Sequence, residues 1–208
     1  AFDAGTGEDN TAVGSGALGG ASNSGANNTA VGKDAGNAIS SGIRNTIVGA
    51  EAGDALTDAD FNVAIGFRAL SGDTKGSKSI AIGDVALFSQ NFTTSTNAFN
   101  VAIGHEAGNA VTTGINNTLI GGLAGDALTD ADSNTAIGYN ALTTSVLGSQ
   151  STAVGSGALA LQNPATATNM LNVAVGYDAG NQVTTGTLNT LVGANTGDAI
   201  TTGFDNVA

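Results

Sequence analysis

Cysteine and tryptophan are both missing from this 208-residue chain, and proline occurs once. Without cysteine the chain has neither a disulfide framework nor a zinc site built on thiolates. Only 11% of the residues are charged and 4% are aromatic. So few large side chains are poor material for a conventional globular core. The composition therefore argues against an ordinary globular enzyme, and we expect no catalytic activity.

Positive charge is confined to the first part of the chain. All five basic residues precede position 79, and the formal net charge is −12. Nucleic acids and anionic membrane surfaces attract basic proteins, so we expect the chain to bind neither. No apolar run approaches the roughly 18 residues of a membrane-spanning helix, so we expect no membrane insertion in this segment.

What the chain has instead is a short phrase that recurs eleven times. Residues 62–66 read Asn-Val-Ala-Ile-Gly, and residues 134–138 read Asn-Thr-Ala-Ile-Gly. The closing glycines are Gly14, Gly32, Gly49, Gly66, Gly83, Gly104, Gly121, Gly138, Gly155, Gly176 and Gly193, and most successive pairs lie 17 residues apart. Self-similarity at a fixed period indicates stacked repeats. We predict an all-β parallel β-solenoid, or β-roll, of about eleven coils of 17–21 residues.

The repeats themselves are organised in blocks of four. Gly32, Gly104 and Gly176 lie 72 residues apart, and the residues that follow them match from block to block. We interpret residues 1–208 as a single continuous repeat array with blocks at 32–103 and 104–175 and a partial block at 176–208. We also expect the chain to be a fragment of a longer one.

Each phrase alternates with the period of a β-strand. The residue before the glycine is always Val or Ile, and it shares a strand face with the Thr, Val or Ile two positions earlier. We predict that the Val/Ile column forms the core ladder inside the coils, so that a charge at Ile120 or Ile137 would break the stack. The ladder comprises Val31, Val48, Ile65, Ile82, Ile103, Ile120, Ile137, Val154, Val175 and Val192. Because the intervening residue is also apolar, we predict that the other face meets a neighbouring chain.

Two further features complete the predicted coil. A weaker second strand is predicted halfway round, for example at 38–40, 55–57, 110–112 and 182–184, with Gly, Asn, Asp and Ser in the turns. Asparagine opens nine of the phrases, and Ser79 and Ser151 open the other two. Because these residues fall in one turn of every coil, we predict that their amides hydrogen-bond up the stack as a ladder.

The phrases at 62–66 and at 79–83, Ser-Ile-Ala-Ile-Gly, resemble the head repeats of trimeric autotransporter adhesins of the YadA type. The string at 134–142, Asn-Thr-Ala-Ile-Gly-Tyr-Asn-Ala-Leu, is similar to repeats in phage tail-fibre proteins. The resemblance covers the whole chain. It implies a left-handed β-roll, a side-by-side homotrimer, and a structural and adhesive role at a cell surface, outside the cell, or in a virion tail fibre. It also implies a host-surface or matrix receptor. The repeat here is longer than the typical adhesin head repeat.

The two 21-residue coils contain four extra residues each. Insertions within repeats map to loops on one face, often the binding face, so we predict contact loops here. The candidate contact residues are Phe88, Phe92, Phe99, Leu161, Pro164 and Met170. The alternative is that the insertions fold back over a coil edge or pack between chains.

Two acidic clusters have the spacing Asp-x-x-x-Asp-x-Asp. They are Asp54, Asp58 and Asp60, and Asp126, Asp130 and Asp132. Carboxylate oxygens are the ligands that Ca²⁺ prefers, so these are candidate calcium sites, and calcium is the only cofactor that we consider. The spacing is not that of an EF-hand loop, and Asx turns on a solvated surface are the simpler interpretation.

Two motifs that would suggest catalysis or nucleotide binding do not fit their usual context. Residues 14–19 match GxGxxG, but they open no helix and are one more copy of the repeat, so we do not expect nucleotide binding. His105 is the only histidine, and Lys33 and Tyr177 occupy its equivalent positions. We therefore place His105 in a variable exposed turn.

Two other functions remain as alternatives. A glycan-degrading tailspike would use paired carboxylates, but the chain has two tyrosines and no tryptophan to line a sugar site. An ice-binding solenoid would use a threonine ladder, and seven phrases carry Thr at the same strand position. In other coils Val63 and Ile80 occupy that position, which favours an interior or interface column over an ice-binding one.

Overall fold

The computed structural model describes residues 6–20 and 23–208, and it divides into two compact units, the first ending at Asn100 and the second beginning at Val101. Each unit is a parallel β-solenoid, and together they hold about eleven turns of about 17 residues. The described residues contain no helix. The predicted all-β solenoid is therefore confirmed. Whether the whole array is continuous stays a prediction.

One three-residue strand per coil builds the main sheet of each unit. In the first unit the strands are Thr11–Val13, Thr29–Val31, Thr46–Val48, Val63–Ile65 and Ile80–Ile82. In the second unit they are Val101–Ile103, Thr118–Ile120, Thr135–Ile137, Thr152–Val154, Val173–Val175 and Thr190–Val192. Neighbouring strands are parallel and in register, so that Thr46 pairs with Val63 and Thr118 with Thr135. Equal phrases therefore stack on equal phrases.

The predicted core ladder is wrong about which strand face points inward. The middle residue of each strand lies inside the coil: Ala64, Leu119 and Ala136, for example, have no exposed surface. The Val/Ile column faces outward, and Val48, Ile65 and Val175 keep more than a third of their surface exposed. The outward members are Val31, Val48, Ile65, Ile82, Ile103, Ile120, Ile137, Val154, Val175 and Val192. The middle residue is Ala in most coils and Ile or Leu in the others, as at Ile47, Leu119 and Leu191.

One large apolar side chain from the turns fills each coil. Where the fourth residue after the strand-closing glycine is Leu, the seventh is small or polar; where the fourth is Gly, the seventh is Ile, Leu or Val. A Cβ added to Gly125 would lie 2.7 Å from Leu119 Cδ2 and 2.8 Å from Leu128 Cδ1, so a side chain at this position would compete with both leucines for the interior. The fully buried residues of this set are Leu18, Ile39, Leu56, Leu70, Leu87, Val111, Leu128, Leu142, Leu159 and Val183. This reciprocal exchange is visible in the sequence and identifies the core.

The predicted second strand is wrong for the 17-residue coils. Segments 38–40, 55–57, 110–112 and 182–184 are turns and bends. Isolated hydrogen bonds join them to the next coil, as when Ser40 N–H donates to the Thr57 carbonyl at 2.9 Å. Within the described residues, a second ladder forms where a 21-residue coil supplies the extra length. Its strands are Gly76–Ser77 with Thr96–Asn97, and Gly148–Ser149 with Thr168–Asn169.

The predicted asparagine ladder is confirmed within each unit. The Asn62 backbone N–H donates to Asn45 Oδ1 at 2.9 Å, and Asn45 Nδ2 donates to the Ala59 carbonyl at 2.8 Å. Each buried amide therefore joins its own coil to two neighbours and satisfies backbone groups that a tight turn would leave unpaired. Where Ser79 replaces asparagine, Gln90 Nε2 donates to Ser79 Oγ at 3.2 Å, and Gln90 Oε1 accepts from Asn100 Nδ2 at 2.8 Å.

Candidate interaction surface

The outward face of the main sheet carries two columns of side chains in each unit. The strands Thr118–Ile120, Thr135–Ile137 and Thr152–Val154 share one pattern, with a buried middle residue between two partly exposed ones. One column is Val or Ile throughout, and the other is Thr, Val or Ile. β-branched residues pack well on a flat pleated surface. A sheet face so uniformly β-branched is suited to packing against another flat surface.

An exposed edge column runs beside this face, two positions before each strand. Every member has a positive φ between 52° and 64°, in the left-handed region that favours Gly and Asn. The members are Asp9, Asn27, Arg44, Phe61, Lys78, Phe99, Asn116, Ser133, Gln150, Leu171, Leu188 and Asp205. Several of these backbone N–H groups donate to the preceding coil, as when Phe61 N–H donates to the Ile43 carbonyl at 3.0 Å. The members of the edge column are therefore regularly spaced within each unit.

Four successive members of this column in the first unit form a basic–aromatic ladder: Arg44, Phe61, Lys78 and Phe99. The Arg44 guanidinium lies 5.4 Å from the centre of the Phe61 ring, and Lys78 Nζ lies 5.1 Å from the centre of the Phe99 ring. These distances are typical of cation–π pairs. This surface was not predicted from the sequence, although its four residues immediately precede four consecutive phrases.

The opposite edge of the same unit carries paired charges. Arg68 Nε donates to Glu51 Oε2 at 2.7 Å, and Lys33 Nζ lies 2.9 Å from Asp34 Oδ2. The Arg68 guanidinium also lies 5.1 Å from the centre of the Phe67 ring. The hydrogen bond to Arg68, followed by its charge, holds the pKa of the Glu51 carboxyl below its usual value. The cations of this edge are already neutralised by carboxylates of the chain.

The candidate contact loops are divided between the interior and the surface. Phe92, Pro164 and Met170 are buried, and Phe88 is partly buried, so these insertions fold back over the coil. The prediction that Phe92, Pro164 and Met170 are contact residues is therefore wrong. Phe99 and Leu161 are exposed, with half of the Phe99 surface accessible. The extra residues are used mainly to build the second ladder.

A buried carboxylate lies under the second ladder of the first unit. Asp73 Oδ1 accepts the backbone N–H groups of Gly76 and Phe92 at 2.9 and 3.1 Å, and Asp73 Oδ2 accepts from Gln90 Nε2 at 2.5 Å. Burial raises the pKa of the Asp73 carboxyl, and the hydrogen bonds oppose that rise. In the second block Ser145 and Pro164 occupy the positions of Asp73 and Phe92. Proline has no N–H to donate, so the bond from position 92 is lost with the carboxylate, and Ser145 Oγ and Gln162 Nε2 are left buried without hydrogen-bond partners.

The candidate calcium residues are not brought together into a site. Asp60 Oδ1 accepts the Ile43 backbone N–H at 2.8 Å, and Asp132 Oδ1 accepts that of Ile115 at the same distance. Thr143 Oγ1 donates to Asp126 Oδ1 at 2.6 Å, and burial raises the pKa values of Asp54 and Asp126. Across residues 6–20 and 23–208, no three acidic or histidine side chains converge as metal ligands. Asp58 and Asp130 accept from the preceding threonines.

The remaining candidate sites lie in turns. Gly14 to Gly19 follow a strand and continue into a turn in which Ala17 and Leu18 are buried, so the GxGxxG string belongs to the coil. His105 is exposed, with Nε2 at 3.8 Å from Glu106 Oε1. The described part of the chain contains no pocket. It also has no helix with the length and apolar character to cross a membrane.

No protein-family model, curated protein or solved structure matches this chain.

Proposed function

We propose that the chain is a structural and adhesive fibre segment in which three copies pack side by side through the outward sheet faces. The observation that carries the proposal is the outward Val/Ile column, which repeats at every strand. Exposed apolar columns of this regularity favour self-association, because apolar surface in contact with water is unfavourable and burial against a partner removes that contact. Copies of one chain present the same spacing and therefore match without adjustment.

The proposed role is mechanical. Stacked coils resist local unfolding because each one is bonded to both neighbours, and the exposed edges display side chains to a receptor. The resemblance to adhesin heads and phage tail fibres supports a location at the cell surface, outside the cell, or in a virion tail fibre. A phage tail-fibre shaft or receptor-binding segment is the alternative within this class. The proposal assigns no catalytic step, no bound metal and no partner other than the fibre itself and its receptor.

The mass of the chain in solution tests the proposal. Light scattering during size exclusion should give a mass near three times 20.0 kDa. A mass of 20.0 kDa would leave the outward face uncovered and overturn the trimeric fibre. A dimer would also contradict the proposal, since it covers one face with one partner and closes the assembly at two copies.

Ice binding is the second candidate, and one observation favours it. Thr118, Thr135 and Thr152 lie in register on the outward face, and the first unit carries Thr11, Thr29 and Thr46 in the same way. An outward threonine column removes the argument that this column lies in the interior. Thermal hysteresis in a monomeric sample would establish ice binding. A trimer that buries the face, with no hysteresis, would exclude it.

A further inference from the structure

We infer that the basic–aromatic ladder binds an extended acidic polysaccharide, with carboxylate-bearing sugars at Arg44 and Lys78 and sugar rings against Phe61 and Phe99. The inference rests on the proposed adhesive function, and it names the class of receptor. It is independent of the contact loops, because three of the four ladder residues lie outside the insertions.

The ladder cations are available to an external anion. Within the described residues, Lys33, Arg68 and Lys75 each pair with a carboxylate of the chain, whereas Arg44 and Lys78 lie over rings and pair with none. In a chain of net charge −12, two cations left without carboxylates on one edge are a local exception. Charge complementarity therefore points to an anionic ligand at this edge.

The rings are held at the surface against their own backbone preference. Phe61 and Phe99 have φ values of 59° and 52°, a conformation in which a bulky residue is disfavoured. Both stay substantially exposed, with 42% of the Phe61 surface and 50% of the Phe99 surface accessible. Asn27, in the same column, shows the residue type that the backbone favours. A strained backbone at bulky, exposed residues is typical of binding sites.

The spacing selects the ligand. Coils stack at about 4.8 Å, so like residues of the ladder recur at roughly 10 Å, every second coil. An extended polysaccharide with one carboxylate in every second sugar presents charge and neutral ring in the same alternation. Phosphates follow one another at about 3.4 Å along each strand of a duplex, which places charge much more densely than the ladder does. The ladder therefore fits a uronic-acid polysaccharide better than a nucleic acid.

The second block supplies a matched variant for every ladder residue. Seventy-two residues after Arg44, Phe61, Lys78 and Phe99 the column holds Asn116, Ser133, Gln150 and Leu171, with φ between 55° and 60°. The exchanges Arg44→Asn, Phe61→Ser, Lys78→Gln and Phe99→Leu therefore introduce residues that the same backbone position already accepts. Unchanged melting temperature and mass of the fourfold variant would establish that the fold and assembly persist.

The experiment is calorimetric titration of the 208-residue chain with an oligosaccharide of alternating glucuronic acid and N-acetylglucosamine that spans the four positions. We expect binding that the neutral N-acetylglucosamine oligosaccharide of equal length does not reproduce. The fourfold variant should bind roughly tenfold more weakly. The cation pair alone and the ring pair alone should each account for part of that loss. The reciprocal exchange in the second block should add a second binding site per chain.

Three results would overturn the inference. The first is no binding, or equal binding by wild type and fourfold variant. The second is a loss caused by the cation exchanges alone, which would indicate unspecific charge attraction. The third is tighter binding of an oligothymidylate than of the acidic oligosaccharide at equal ionic strength, which would indicate a nucleic-acid surface. A trimer that does not bind the oligosaccharide would support the fibre proposal and contradict the ligand inference. A monomer that binds the oligosaccharide through the ladder would support the ligand inference and contradict the fibre proposal.

Discussion

At the end of each strand the backbone turns through a glycine with φ between 127° and 142°, a conformation that side chains rarely adopt. The next coil also lies against that glycine: a Cβ on Gly121 would stand 2.5 Å from the Gly138 carbonyl oxygen. The invariant glycine of the phrase therefore meets two requirements, one of conformation and one of space. The neighbouring Gly122 has neither, because its nearest contact is Tyr139 Cδ2 at 3.5 Å.

Gly121→Ala should lower the free energy of unfolding by about 1–3 kcal/mol from backbone strain, with a further cost from the displaced coil. Gly122→Ala is the matched control and should change stability by less than about 1 kcal/mol. Chemical denaturation followed by circular dichroism measures both. Equal destabilisation by the two variants would show that the close approach of neighbouring coils is not the reason for glycine at position 121.

Asp73 predicts a pH dependence of stability. Burial raises the folded-state pKa of its carboxyl above the ordinary value of 3.8. As the pH falls from neutral towards 3.8, Asp73 is protonated in the folded chain before it is protonated in the unfolded chain. Protonation therefore favours the folded state, and the free energy of unfolding increases. We expect wild type to gain stability relative to Asp73→Ser over this range. Denaturation series at several pH values measure the difference.

Asp58→Ser is the control for Asp73→Ser, since it removes the same formal charge from a partly exposed turn. A constant difference for Asp73→Ser across the range would contradict a raised pKa in the folded state.

At the scale of the element, each coil is completed by one large apolar side chain that comes from either of two turn positions. Leu142 and Ser145 occupy these positions in one coil, and Gly125 and Leu128 occupy them in the coil before it. Both leucines are fully buried. The two arrangements fill the same interior from different sides, so a block can alternate between them while the strand and the glycine stay constant.

Leu142→Gly should therefore cost about 2–5 kcal/mol, as the loss of a buried leucine does elsewhere, less any gain from relieving its φ of 54°. Adding Ser145→Leu to Leu142→Gly recreates the Gly/Leu arrangement and should restore most of the loss. The thermal midpoints of both variants provide the test. A double variant as unstable as the single one would show that the two positions do not share one cavity.

At the scale of the whole molecule, charge and apolar surface are distributed unequally. All five Lys and Arg residues lie in the first unit, and the second unit contains none. The outward β-branched columns occur in both units. The features common to both units serve stacking and the proposed assembly, whereas the features confined to one unit are those on which specific recognition can depend.

Ile120→Lys places a charge on the outward column and tests the assembly. Because the side chain faces away from the coil interior, we expect native circular dichroism together with a fall in mass from three copies to one. Thr113→Lys, at an exposed turn half a coil earlier, should leave the mass unchanged. Loss of the β signal in Ile120→Lys would instead show that this column stabilises the single coil.

The repeat length, the parallel in-register stack and the asparagine ladder could be predicted from the amino-acid sequence, because they follow from spacing and from the need of buried amides for partners. The sequence did not determine which strand face lies inside. Both faces are apolar, so alternation of period two cannot choose between Ile120 and Leu119. The tertiary structure decided the choice, since the turn leucines already fill a narrow interior and leave room only for the middle strand residue. It also decided which cations are neutralised and which, like Arg44 and Lys78, meet a ring instead.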